Sequence, residues 1–150
     1  MITRCPECGA VWQASQTCQD VFHRLLVQEA EFAGKTYAVH HLLVLCYHLQ
    51  HPHLYSARGL DEAKQLLAQF VEQGATPAEV RRRYSATVDS GKRGWKITGT
   101  PTDHGTYTPP IQWPMTIVDV PPAGLDGYID QVRAWARSMY QTLEASGNET

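Results

Sequence analysis

A chain of 150 residues, 43% hydrophobic and 19% charged, has the size and composition of one globular domain able to bury its own core. Its formal charge of −2 gives no global attraction to nucleic acid or to an anionic membrane. Its longest apolar run, LLVLCY at 42–47, falls far short of the ~20 residues that span a bilayer. The N-terminus carries no charged, apolar, small-residue leader, so a cytoplasmic protein is expected. In a reducing compartment, clustered cysteines serve as ligands or redox centres more often than as structural disulfides.

The chain opens on CPECGAVWQASQTC, residues 5–18, which holds three of the four cysteines. Residues 1–17 are read as a metal knuckle. A helix is predicted over 18–32, where Val21, Phe22, Leu25, Leu26 and Ala30 form one apolar stripe. The short break AGK at 33–35 then makes an antiparallel helical hairpin the default. The second helix, 36–50, is apolar all round its middle and should be the most buried; Pro52 ends it.

A third helix is predicted over 59–73, with Leu60, Ala63, Leu67, Phe70 and Val71 inward and Gly74 as its stop. Thr76, Pro77 and Glu79 have the pattern of a capping box opening a short fourth helix. Residues 85–124, rich in proline, glycine and threonine, read as an irregular excursion in which WKIT and MTIVDV are β-like, a possible two-stranded ribbon. The last helix, 125–145, carries Leu125, Tyr128, Ile129, Val132, Trp135, Met139, Tyr140 and Leu143 at spacings of three and four. The expectation is one mainly α domain spanning 1–150, a bundle of about five helices: knuckle 1–17, helical part 18–84, excursion 85–124 and C-terminal helix 125–145.

Cys5-Pro-Glu-Cys8-Gly9 is the spacing of a metal knuckle: two intervening residues let both sulfurs reach one ion, and glycine permits the turn behind it. A redox dithiol has the same spacing but opens a helix after a strand in a βαβ unit. Nothing ahead of Cys5 looks long enough for that strand, and Cys18 adds a third thiol, so metal is favoured. A structural zinc needs four ligands, usually cysteine and histidine. Cys46 lies mid-helix between Leu45 and Tyr47 and reads as a small buried apolar residue. Folding the helical hairpin about 33–35 sets Cys18 opposite positions 50 and 51, and position 51 is histidine. His40 is eleven residues earlier in the sequence, roughly 16 Å along the helix. His48 points to another side, His23 sits one turn into the first helix, and His53 just past Pro52 is the reserve. The predicted ligands of a structural zinc are therefore Cys5, Cys8, Cys18 and His51.

The same register sets Glu29 opposite His40, on the helix side that carries Tyr47. A carboxylate facing a histidine is either an acid/base couple or a buried hydrogen bond, which makes a metal-dependent enzyme around Glu29, His40 and Tyr47 one alternative function. Arg81, Arg82, Arg83, Lys92 and Arg93, near Tyr84 and Trp95, form the local basic segment of 81–93. They make nucleic-acid binding a second alternative, although such a run is more often a solvated helix face. Asp103 and His104 read as turn chemistry. The favoured function is a zinc-stabilised binding or regulatory module whose partner the residues do not identify.

The CPxCG start, the helix-opening cysteine and VHHLLVLCYHLQHP at 39–52 resemble a family of small bacterial proteins of unknown function, whose pattern reads V-H-x-L-x-V-x-x-Y-x-x-Q-H-P. MTIVDV and VRAWARSMYQTL, at 115–120 and 132–143, are similar to its later strand and its helix containing W-A. The matching positions are Cys5, Cys8, Cys18, His40, Tyr47, Gln50, His51 and Pro52. The chain departs from the pattern at His41, where the family has arginine, and at Tyr140, where tryptophan is commoner. The resemblance supports the cysteine and histidine assignments and implies no activity.

Overall fold

The most apolar stretch of the sequence becomes the middle of the molecule. In the computed structural model, which describes residues 2–13, 16–32, 37–74, 76, 78–79, 97–120 and 124–146, the core helix is α2 (Tyr37–Leu49). Val39, Leu42, Leu43, Leu45, Cys46, Tyr47 and Leu49 are all buried on it. It packs against α3 (Ala57–Val71) and α4 (Leu125–Ser146), which also touch each other. α1 (Cys18–Glu31) lies against the 3-10 turn Ile117–Asp119 and meets α2 through long side chains. A two-stranded antiparallel sheet, β1 (Ile2–Arg4) and β2 (Val11–Gln13), precedes the helices. The fold is mainly α, with four α-helices among the described residues.

Local chemistry sets the helix ends. Thr17 and Asp20 form a capping box on α1: Asp20 N–H donates to Thr17 Oγ1 at 3.1 Å and Thr17 N–H to Asp20 Oδ2 at 3.0 Å. Ser56 caps α3 through Gly59 N–H at 3.0 Å, so α3 starts two residues before its expected Gly59. Gly74, with φ 65°, follows its end. At Thr76 the hydroxyl accepts Glu79 N–H at 3.2 Å, as a helix start requires. The body of that expected short helix lies outside the described residues.

The excursion departs from expectation. Ile117–Asp119 within MTIVDV is a 3-10 turn rather than a strand. Asp119 Oδ2 accepts Thr116 N–H at 2.8 Å, and Asp119 N–H returns to Thr116 O at 2.9 Å, closing the turn locally while Ile117 and Val120 enter the core. β-branched content alone does not make a strand when a local carboxylate takes the backbone donor. Of WKIT, Ile97 and Thr98 are described, and Thr98 makes one isolated bridge to Tyr55.

This segment is tied to the C-terminal end of α2. Tyr107 OH donates to Leu49 O at 2.7 Å, and Gln50 Nε2 and Trp135 Nε1 both donate to Met115 O, at 2.8 and 3.2 Å. Gly99 lets the excursion cross the turn after α2, donating its N–H to Leu54 O at 2.9 Å. A Cβ there would sit 2.1 Å from His53 O and 2.7 Å from Tyr55 O, both backbone atoms. Gly99→Ala is therefore expected to destabilise the protein by about 1–3 kcal/mol, read as a lower urea midpoint with an unchanged slope.

Candidate metal centre

The knuckle is the turn of the β1–β2 hairpin. Arg4 pairs with Val11; beyond that pair, Cys5 N–H donates to Ala10 O at 2.9 Å and Gly9 N–H to Cys5 O at 3.0 Å. Ala10 N–H donates to Cys8 Sγ at 3.4 Å, an amide–sulfur contact that favours a thiolate. Gly9 has φ 81°, a conformation open to glycine and strained for other residues. A short strand does precede Cys5, contrary to expectation. It pairs in an antiparallel hairpin rather than feeding a βαβ unit, so the argument against a thioredoxin-like dithiol stands on this topology.

Two helices supply the other donors. Cys18 is the first residue of α1, where the helix dipole favours an anion. His51 follows the end of α2, its N–H bonded to His48 O at 3.0 Å. The pair lies in a single antiparallel register with two more contacts along the same face: Phe22 stacks on Tyr47, centroids 4.0 Å apart and planes 1° from parallel, and Glu29 meets His40. Tyr47 in turn lies against the His51 ring at 4.3 Å.

The structure brings Cys5, Cys8, Cys18 and His51 together. All four are buried, and their ligand atoms lie within 4.8 Å of one another. His51 Nε2 is 3.4 Å from Cys18 Sγ and 3.6 Å from Cys5 Sγ. A tetrahedral ion with metal–sulfur distances of about 2.3 Å and metal–nitrogen of about 2.0–2.1 Å has S···N edges of about 3.6 Å. On the other side of the ring, Nδ1–H donates to Tyr47 O at 2.7 Å. That bond holds the proton on Nδ1 and turns the Nε2 lone pair toward the sulfurs, the outer-shell support a ligating histidine uses. These residues can hold a metal ion.

The charges are poised for a cation. The hydrogen bond with Cys8 holds the Cys18 thiol down at about 4 despite burial, with His51 pulling the same way. The same bond, together with burial, raises the Cys8 thiol. Burial opposes charge on His51, but Cys18 and the Tyr47 carbonyl lift it to about 9. Negative charge on the sulfurs thus favours positive charge beside Nε2, where a metal would sit.

The remaining candidates fall elsewhere. Cys46 is fully buried among apolar side chains and its thiol is pushed up by that burial. His48 donates Nδ1–H to Val44 O at 2.8 Å, and His23 is exposed on α1. His53, the reserve ligand, is held by the knuckle's own carboxylate: Glu7 Oε2 accepts its backbone N–H at 3.2 Å while Glu7 Oε1 accepts its Nδ1–H. Glu7 escaped the sequence reading because nothing in C-P-E-C says which way the intervening carboxylate points. Asp103 serves a turn, accepting Ala57 N–H at 3.2 Å and pairing with Thr100, while His104 Nδ1–H donates to its neighbour's carbonyl, Gly105 O, at 3.2 Å. Arg81, Arg82, Arg83, Lys92 and Arg93 lie outside the described residues.

At the far end of the helix pair, His40 Nδ1–H donates to Glu29 Oε1 at 2.6 Å. Glu29 is buried, and its other oxygen accepts Tyr128 OH, also at 2.6 Å. The expected third member, Tyr47, is absent from this cluster because it stacks on Phe22 beside the cysteines. Tyr128 takes the place instead. In the sequence it belonged to the apolar stripe of the last helix; the available signal was that a tyrosine at a core position needs a partner for its hydroxyl.

Residues 3–144 match the family of unknown function DUF5946, and the chain belongs to it. No curated protein and no solved structure matches the chain.

Gly9→Ala would force a side chain into a left-handed turn at a cost of about 1–2 kcal/mol. Metal affinity is expected to fall about tenfold with the four ligands unchanged, measured by competition with a chromophoric chelator.

Proposed function

We propose that this member of DUF5946 is a zinc-stabilised helical binding or regulatory module of the cytoplasm, with one structural zinc held by Cys5, Cys8, Cys18 and His51. What supports the reading above all is the convergence of the four buried donors on a histidine whose tautomer is fixed by Tyr47 O. Borderline-soft zinc suits three thiolates and an imidazole, and the S···N distances suit a tetrahedron. Such a set leaves no open position, so the ion would be poor at activating water.

Its role would be to join three separate pieces of chain: the N-terminal hairpin, the start of α1 and the end of α2. Two three-residue strands cannot hold a hairpin alone, so metal-binding free energy would become folding free energy. No helix among the described residues is long and apolar enough to cross a membrane.

The test is metal content of tag-free protein. About one zinc per chain is expected in the wild type, lost or weakened in His51→Ala and Cys18→Ser, and kept in Cys46→Ser and His40→Ala. Wild type without metal, its Cys5 and Cys8 cycling to a disulfide, would replace this reading with a redox one. Stripping zinc with a chelator is expected to lower the thermal midpoint by about 10 °C or more.

A further inference from the structure

We propose that Glu29, His40 and Tyr128 form a general-base site on the outside of the α1/α2 pair, where His40 Nε2 takes a proton from water attacking a neutral carboxylic ester. The site goes beyond the structural zinc and does not use it: His40 is eleven residues from His51 along the chain, roughly 16 Å on a helix.

The geometry separates the two ring nitrogens. Nδ1–H is committed to Glu29 at 2.6 Å, which leaves the lone pair on Nε2. The ring is 46% exposed while the carboxylate is 6% exposed, and Nε2 has no hydrogen-bond partner among the described residues. Here the acceptor is enclosed and the base reaches solvent. Tyr128, itself fully buried, fixes the carboxylate from α4. Burial and the adjacent Glu29 raise its hydroxyl, so it stays a donor. The groups facing His40 are Glu29 from α1 and the edge of the His41 ring, 5.7 Å away on α2; Tyr128 faces Glu29.

A metal site is the competing use of a carboxylate-backed histidine. Among the described residues, however, the one convergent group of three or more metal-ligating side chains is the cysteine cluster. Charge selects the substrate. His40 is the ion-pair partner of Glu29, and among the described residues no lysine or arginine pairs with that carboxylate, so a phosphate dianion would meet an anion there. A neutral ester meets no such repulsion.

In the reaction, the water oxygen bonds to the ester carbonyl carbon as its proton moves to Nε2. Collapse of the tetrahedral intermediate breaks the bond to the alkoxy oxygen. The imidazolium returns the proton to that oxygen, releasing acid and alcohol. Glu29 and Tyr128 act as positioning residues; His40 is the catalytic one.

The experiment is hydrolysis of p-nitrophenyl acetate by the full zinc-loaded chain. The rate is expected to exceed that of free imidazole at the concentration of the chain's seven histidines. It should fall at least about tenfold in His40→Ala and hold in His23→Ala. Glu29→Gln and Tyr128→Phe should lower kcat with KM unchanged, and Glu29→Asp should recover part of it. A wild type no faster than imidazole, or a His40→Ala variant as fast as wild type, overturns the site. Should His40→Ala fail to fold, diethylpyrocarbonate on the wild type decides: loss of rate tracking His40 carbethoxylation, reversed by hydroxylamine, supports the site, and full labelling with the rate retained overturns it. Zinc content in the same samples separates this outcome from failure of the structural-zinc reading.

Discussion

The register of α1 against α2 is the constraint on which the cysteine–histidine cluster and the Glu29–His40 pair both depend. Cys18 with His51, Phe22 with Tyr47 and Glu29 with His40 are three rungs of one antiparallel ladder. A slip of one residue on either helix would rotate a side chain by about 100° and break all three rungs. The central rung is an aromatic stack with planes 1° apart. Its area excludes water between a sulfur-rich end and a carboxylate-bearing end. The four buried ligand side chains and the buried Glu29 carboxylate therefore sit at low effective dielectric, where a hydrogen bond or a charge pair has more influence than it would in water.

The C-terminal end of α2 carries the second organising problem, because a helix end leaves carbonyls without intrahelical donors. Each of its last carbonyls has a specific partner. Cys46 O takes Gln50 N–H, Tyr47 O takes His51 Nδ1–H, His48 O takes His51 N–H and Leu49 O takes Tyr107 OH. The residue that presents Nε2 to the thiols thus also completes the helix end, and the excursion is docked by the same need. Glu7 adds a further tie by receiving the His53 backbone N–H from the next turn. A candidate metal ligand, a helix end and a loop docking point meet within a few residues, so a change at His51 should be felt in all three.

Much of this was legible in the chain itself. The C-x-x-C-G spacing, the third cysteine at a helix start and the length of the break at 33–35 sufficed to set His51 opposite Cys18, because helix rise and an antiparallel turn are fixed by backbone geometry. The apolar periodicity of 125–145 foresaw the inner face of α4, with Tyr128, Val132, Trp135, Met139 and Leu143 buried. The pairing of Glu29 with His40 followed from the same register.

The sequence by itself determined what periodicity and spacing can carry: the helical class, the order of its elements and the residue pairs along one helix hairpin. Tertiary structure decided whatever depends on contacts between distant segments. Tyr128 reaches Glu29 from 99 positions away, a partnership no local pattern encodes. Tyr47 meets Phe22 rather than Glu29 because the register sets Phe22 opposite it, seven residues along the helix from His40. MTIVDV closed into a turn in which Asp119 takes the Thr116 backbone donor. In each case the local preference was real, and a partner supplied by the fold outweighed it.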